Sequence, residues 1–163
     1  MAGRITASES QLRPDPKFGD KVLSKFINCI MYSGRKTSAE RCVYDALDVI
    51  KGRMQKDPVE GCDNELHVFR RAIDNVKPYV EVRSKRIGGA NYQVPMQVKP
   101  NRQQSLAFRW VINAARSEKG RPMHMKLADE LWAASRGEGK AMTTRDQTHR
   151  MAEANKAFAH FAR

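Results

Sequence analysis

Between positions 77 and 102 the chain carries six cations, Lys77, Arg83, Lys85, Arg86, Lys99 and Arg102, against one acid, Glu81. Ammonium and guanidinium groups at this density recognise polyanions. Lysine supplies a compact point charge, and arginine a planar fork that matches phosphate oxygens and guanine edges. The middle of this stretch, Ser84–Val98, reads SKRIGGANYQVPMQV. Alternation with period two places Arg83 and Lys85 on one face of a strand and Val82 on the other. The expectation is a ribbon whose cations meet phosphates while its apolar side chains pack elsewhere. Gly88 and Gly89 let the tip backbone approach a ligand closely. Tyr79 and Tyr92 have the rings to stack on unpaired bases, with ordinary cross-strand packing as the alternative. A second set follows: Arg102, Arg109 and Arg116 are spaced by seven, which puts them on nearly one stripe of a helix, with Asn113 one turn beyond Arg109.

Catalytic chemistry finds no such support. His67, His124, His149 and His160 have no nucleophile or acid partner at a motif spacing, and no GxxxxGK phosphate loop occurs. The three cysteines, Cys29, Cys42 and Cys62, lack CxxC spacing, which argues against zinc and for reduced thiols. Cys29 and Cys42 fall in apolar-periodic segments and are expected to pack as small hydrophobes. The reading is a protein that binds, without cofactor or metal, and not an enzyme.

The whole composition agrees. Among 163 residues, 30 Lys and Arg oppose 18 Asp and Glu, a formal charge of +12. Such an excess repels itself in a compact state and makes sense beside a polyanion, with nucleic acid first and an anionic membrane second. No run of about 18 apolar residues is present, so no membrane-spanning helix is expected. Residues 1–20 have no apolar signal-peptide centre, which predicts an intracellular protein, in bacterial cytoplasm or in an organelle.

These side chains need elements to hold them. Residues 1–19 read as a basic N-terminal arm with Arg4, Arg13 and Lys17, since Pro14 and Pro16 forbid helix there. One helical domain is expected over 20–163, mainly α, with about six helices. The first runs from Asp20 to Met31, carries Lys21 and Lys25 on an outer face, and stops near Gly34-Arg35-Lys36. A capping box, Thr37-Ser38-Ala39-Glu40, is expected to open the second. The third carries Leu66, Phe69, Ile73 and Val76. The period then shifts to two, predicting a protruding hairpin at about 79–99 with Gly88-Gly89 and Ala90-Asn91 as its turn. Pro95 suits an edge strand. Helices are expected over 102–118 and 123–136, and a last one from Thr144, with Gln147 completing a capping box, through Phe158. The final segment adds Arg145, His149, Arg150, Lys156, His160 and Arg163.

Five blocks occur in order: PDPKFG (14–19), GRK (34–36), VEVRSKRIGGANYQVPMQVKP (80–100), LAFRWVINAAR (106–116) and HRMAEANKAFAHF (149–161). Together they closely resemble the bacterial-type family of the seventh protein of the small ribosomal subunit, over nearly the whole chain. The resemblance implies a helical domain with a β-hairpin. It further implies a primary binder of small-subunit ribosomal RNA, at its lower 3′ region, that nucleates assembly of the subunit head. It places the hairpin near exit-site tRNA and other head and platform proteins alongside. Carried onto this chain, RNA contact falls to Arg13, Lys17, Lys21, Lys25, Arg35, Lys36, Arg83, Lys85, Arg86, Arg102, Arg109 and Arg116, with Gly88, Gly89 and Tyr92 shaping the hairpin. The start MAGRITASESQ lacks the dense Arg/Lys run of many members, and the Lys56–Glu65 connection is longer. From the residues alone, a DNA-architectural protein with a basic β-arm and a protein–protein scaffold remain alternatives.

Overall fold

The computed structural model describes residues 12–58 and 61–162. Arg4 of the basic arm and Arg163 of the final segment lie outside the described residues. In chain order the elements are α1 (Lys21–Ile30), α2 (Lys36–Met54), α3 (Glu65–Val76), β1 (Val80–Ile87), β2 (Ala90–Gln97), α4 (Pro100–Ser117), α5 (Met123–Ser135), α6 (Lys140–Ala154) and a 3₁₀ segment (Lys156–Ala162). The chain is thus mainly helical, with its hairpin between the third and fourth helices.

Helix α1 starts where sequence places it, because the Asp20 carboxylate accepts the backbone N–H groups of Val22 at 2.6 Å and Leu23 at 3.2 Å. Its other oxygen is gripped by Arg70 of α3, with Nε at 2.7 Å, so the cap also ties α1 to α3. The stripe Leu23, Phe26, Ile27 and Ile30 then turns inward. Phe26 is fully buried and lies 5.1 Å from Phe69 of α3 and 5.2 Å from Phe108 of α4, ring centre to ring centre. Leu47 and Ile50 of α2 and Leu127 and Leu131 of α5 complete this core. Pro100 stands in the first turn of α4, where its missing N–H costs nothing.

Two helix starts differ from expectation. The turn before α2 uses Ser33 at φ 52° and Gly34 at φ 73°, and delivers the chain into helix already at Lys36. Thr37 therefore sits inside the helix, no side chain caps it, and Glu40 pairs with Lys36 at 3.6 Å instead. Helix α6 begins at Lys140, four residues before Thr144. The cap comes from another helix: Glu130 of α5, buried, accepts the Ala141 N–H at 2.7 Å. A Cβ on Gly139 would stand 2.9 Å from that carboxylate oxygen, so glycine is required there for space as well as for its φ of 101°. Thr144 donates its hydroxyl to the Lys140 carbonyl at 2.9 Å, one turn back. Helix α6 ends at Ala154, and Phe158 belongs to the 3₁₀ segment.

The cysteine expectation is also corrected. Cys29 is exposed and Cys42 half-buried, whereas Cys62 is the buried one. Cys29 falls outside the stripe that α1 turns inward, which runs through Phe26, Ile27 and Ile30.

The hairpin pairs antiparallel from Val80 opposite Gln97 to Ile87 opposite Ala90. Its loop is Gly88-Gly89 alone; Ala90 and Asn91, expected in the turn, are already paired with Ile87 and Arg86. Both glycines have positive φ, 57° and 88°, as a two-residue turn matching strand twist demands. Helix α6 and the 3₁₀ segment pack against the hairpin.

Candidate nucleic-acid interface

Register decides the faces of the hairpin. Opposed residues share a side, so Glu81 with Met96, Arg83 with Val94 and Lys85 with Tyr92 form one face. Val94 there is fully buried. The Tyr92 ring lies 5.3 Å from Phe158 and 5.6 Å from Phe161, and Lys85 Nζ donates to the Phe161 carbonyl at 2.8 Å. The expected division into a cationic and an apolar face is thus corrected: Arg83 and Lys85 share their face with the packed Val94 and Tyr92. The reason is that the C-terminal segment, far away in sequence, needs an apolar seat and finds it on β2. Arg86 points from the opposite face and is exposed, beside exposed Ser84, Asn91 and Gln93.

At the base of the hairpin, Glu81 holds two arginines. It accepts from Arg83 Nε at 2.8 Å and from Arg102 Nε at 3.2 Å, and its own side chain is only 12% exposed. The pair of guanidinium groups outweighs the single carboxylate, and each remains about half exposed. Glu81 thereby orients both arginines and joins β1 to the start of α4. Tyr79, just before β1, is 66% exposed, with its ring 4.3 Å from that of His149 on α6.

From Arg102 the basic surface continues along α4. Arg102 to Arg116 spans about 21 Å of helix at 1.5 Å per residue. Arg109 is exposed. Arg116 is also exposed, and donates to the Ile30 carbonyl at 3.0 Å, closing the C-terminus of α1. Helix α1 lies alongside, and Lys25 Nζ donates to Gln104 of α4 at 3.2 Å. Leu12, Lys21, Val22, Lys25, Asn101 and Gln104 line a cleft between these helices, with exposed Arg13 next to it in the chain. Although the Cys29 residue is exposed, partial desolvation of its thiol pushes the pKa up, while Lys25 and Arg109 pull it down, so cations of both helices converge on that position.

Other candidates stand apart. Lys17 pairs with Asp48 of α2 at 3.3 Å and lies 5.3 Å and 5.2 Å from the rings of Phe18 and Tyr44. It belongs to a turn organised by buried Asp15, which accepts from the N–H groups of Lys17 and Phe18 and from the Tyr44 hydroxyl at 2.6 Å. Burial and that hydrogen bond push the Tyr44 pKa well up. Arg35 is exposed next to the turn that presents Tyr32, and Lys36 pairs with Glu40. Among the described residues, Arg13, Lys21, Arg35, Arg86 and Arg109 make no ion pair with a carboxylate.

Sequence reasoning missed the double grip of Glu81 and the seat of Phe158 and Phe161. The signal for the second was present: aromatics three apart match the repeat of a 3₁₀ turn. Among the described residues no group of His, Cys, Asp and Glu is placed to hold a metal ion, and no helix is long and apolar enough to cross a membrane.

Comparison with known proteins gives the family of the chain. The family model described as ribosomal protein S7p/S5e matches residues 2–156. The small ribosomal subunit protein uS7 of Rhodopirellula baltica is 59% identical over 160 residues, covering 98% of this chain and 99% of that protein. Its counterpart in Thermotoga neapolitana is 51% identical over 158 residues, covering 97% of each, and that of Methylobacterium radiotolerans 50% over 161 residues, covering 99% of each. The chain belongs to the ribosomal protein S7p/S5e family, a family of structural proteins and not of enzymes.

Proposed function

We propose that this protein is a structural constituent of the small ribosomal subunit, a primary binder of the lower 3′ region of its RNA that nucleates assembly of the head. The hairpin then lies near exit-site tRNA, other head and platform proteins are neighbours, and the compartment is the cytoplasm. The observation that carries the reading is the run of cations from Arg83 and Arg86 through Arg102 and Arg109 to Arg116, with Lys21 and Lys25 alongside on α1. A cationic surface of this kind suits RNA junctions, because the deep major groove of a regular A-form duplex admits no side chains.

Binding is mainly electrostatic. With about 6–10 phosphate contacts, affinity falls by about 10³–10⁵ between 50 and 200 mM salt. The test changes Arg83, Lys85 and Arg86 together to Glu and measures filter binding to a transcript of that RNA region, with duplex DNA at equal salt as competitor. The expected outcome is weakened RNA binding at unchanged helicity, and preference for the RNA over DNA in the unaltered protein. Unchanged affinity removes the hairpin from the interface, and equal competition by DNA favours an architectural role instead.

A further inference from the structure

We infer that the 3₁₀ segment Lys156–Ala162 is a displaceable cover over an RNA subsite on the Lys85/Tyr92 face of the hairpin, so that this chain and unpaired nucleotides compete for one surface. The inference rests on the RNA-binding reading above and specifies how one part of that surface is regulated.

The contacts of the cover are those a nucleotide strand would make. Lys85 gives a hydrogen bond to the Phe161 carbonyl oxygen at 2.8 Å, where a phosphate oxygen would accept equally well. Tyr92 is flanked by the rings of Phe158 and Phe161, at 5.3 Å and 5.6 Å and tilted by 55° and 41°, so the apolar face that a base would stack on is occupied by this chain. The two phenylalanine rings are themselves nearly parallel, at 15°. Arg83, held by Glu81 at 2.8 Å, sits on the same face and stays exposed with the cover in place. Removal of the segment therefore uncovers the half-buried Tyr92 ring beside Lys85 and Arg83, which are exposed with the cover in place.

The cover is also built to come off. Seven residues are long for a 3₁₀ segment, whose hydrogen bonds are poorly aligned and whose runs seldom exceed three or four residues. Neither phenylalanine is fully buried, in contrast with Phe26, Phe69 and Phe108 of the core. Helix α6 ends at Ala154, so release needs no helix to unwind. A closed cover lowers apparent affinity by the fraction of molecules that are open.

The test keeps the charge constant. The double variant Phe158→Ser/Phe161→Ser is expected to bind a transcript of the lower 3′ region of small-subunit ribosomal RNA about tenfold more tightly, as a cover closed in about nine of ten molecules requires. Equal or weaker binding by a folded double variant overturns the inference. Should that variant not fold by circular dichroism, hydrogen exchange on the unaltered protein decides. Amides of residues 156–161 are expected to lose protection on adding the transcript, and retained or increased protection overturns the inference. If the unaltered protein does not bind the transcript, the RNA-binding reading falls and the cover with it. If the unaltered protein binds and neither change is seen, the cover alone falls.

Discussion

Two regions of the molecule treat positive charge in opposite ways. On the side built by α2 and α5, cations meet carboxylates: Arg53 and Arg121 share Asp129, Arg121 and Lys140 share Glu118, and Arg136 pairs with Asp57. Along the hairpin, Glu81 serves two arginines and Lys77 pairs with Asp74, while Arg86, Arg109 and Lys21 make no ion pair among the described residues. Among the described residues, Arg53, Arg121, Arg136 and Lys140 are thus tied to carboxylates, whereas Lys21, Arg86 and Arg109 are not. Paired charges at a surface add little stability individually but neutralise the far side. Unpaired ones keep their field for a polyanion, which gains when counterions are released.

The sharpest way to break this comparison is to remove three arginines from each side. Changing Arg102, Arg109 and Arg116 to Ala is expected to lower the slope of log affinity against log salt by about two to three. The same treatment of Arg53, Arg121 and Arg136 is expected to leave the slope unchanged. Equal losses from the two triples, read by filter binding across a salt series, would sink the idea of a segregated surface.

The paired side also contains a carboxylate with a structural task. Glu130→Ala removes the acceptor of the Ala141 N–H and empties a buried site, so a loss of about 1–3 kcal/mol in chemical denaturation is expected. A smaller effect on RNA affinity than on stability would separate it from the basic surface.

His149 offers a weaker, pH-dependent effect. Burial, then the nearby Arg145, holds its pKa below the ordinary 6.5, while Asp146 opposes them. Its Nε2 is buried, with no hydrogen-bond partner among the described residues. The folded state thus takes up this proton less readily than the unfolded chain. Its contribution is complete above about pH 6.5 and is lost as pH falls below that value toward the folded-state pKa. His149→Phe is expected to flatten the fall in melting temperature between pH 7 and pH 5, and an unaltered fall would remove His149 as its source. The smallest effect belongs to Asp48→Ala: its pair with Lys17 is exposed on both sides, so a change of about 0–1 kcal/mol is expected.

Much of this was legible beforehand because its causes are local. Phe26, Ile27 and Ile30 recur at helical spacing, which brings their partners within a few residues. Gly88-Gly89 between β-forming runs dictates a tight hairpin turn, since few other residues take positive φ twice. The excess of cations around the hairpin and the stripe Arg102, Arg109 and Arg116 likewise need only the sequence and a helical period. The early start of α2 at Lys36 was misread although its cause, the Ser33-Gly34 turn, is local; other misreadings depend on distant partners. The start of α6 is set by Glu130 of α5, and not by the local Thr144 and Gln147. The face of Arg83 and Lys85 is shared with apolar side chains because Phe158 and Phe161 return to β2 across more than sixty residues of chain.

Periodicity, turn chemistry and net charge are properties of neighbours along the chain, and the sequence by itself determined a helical protein with one basic hairpin. Which cations are spent on carboxylates, which helix end is capped from across the core, and which hairpin face is covered were decided by tertiary structure alone. Those outcomes depend on groups far apart in sequence meeting within hydrogen-bond distance, and no local pattern encodes that meeting.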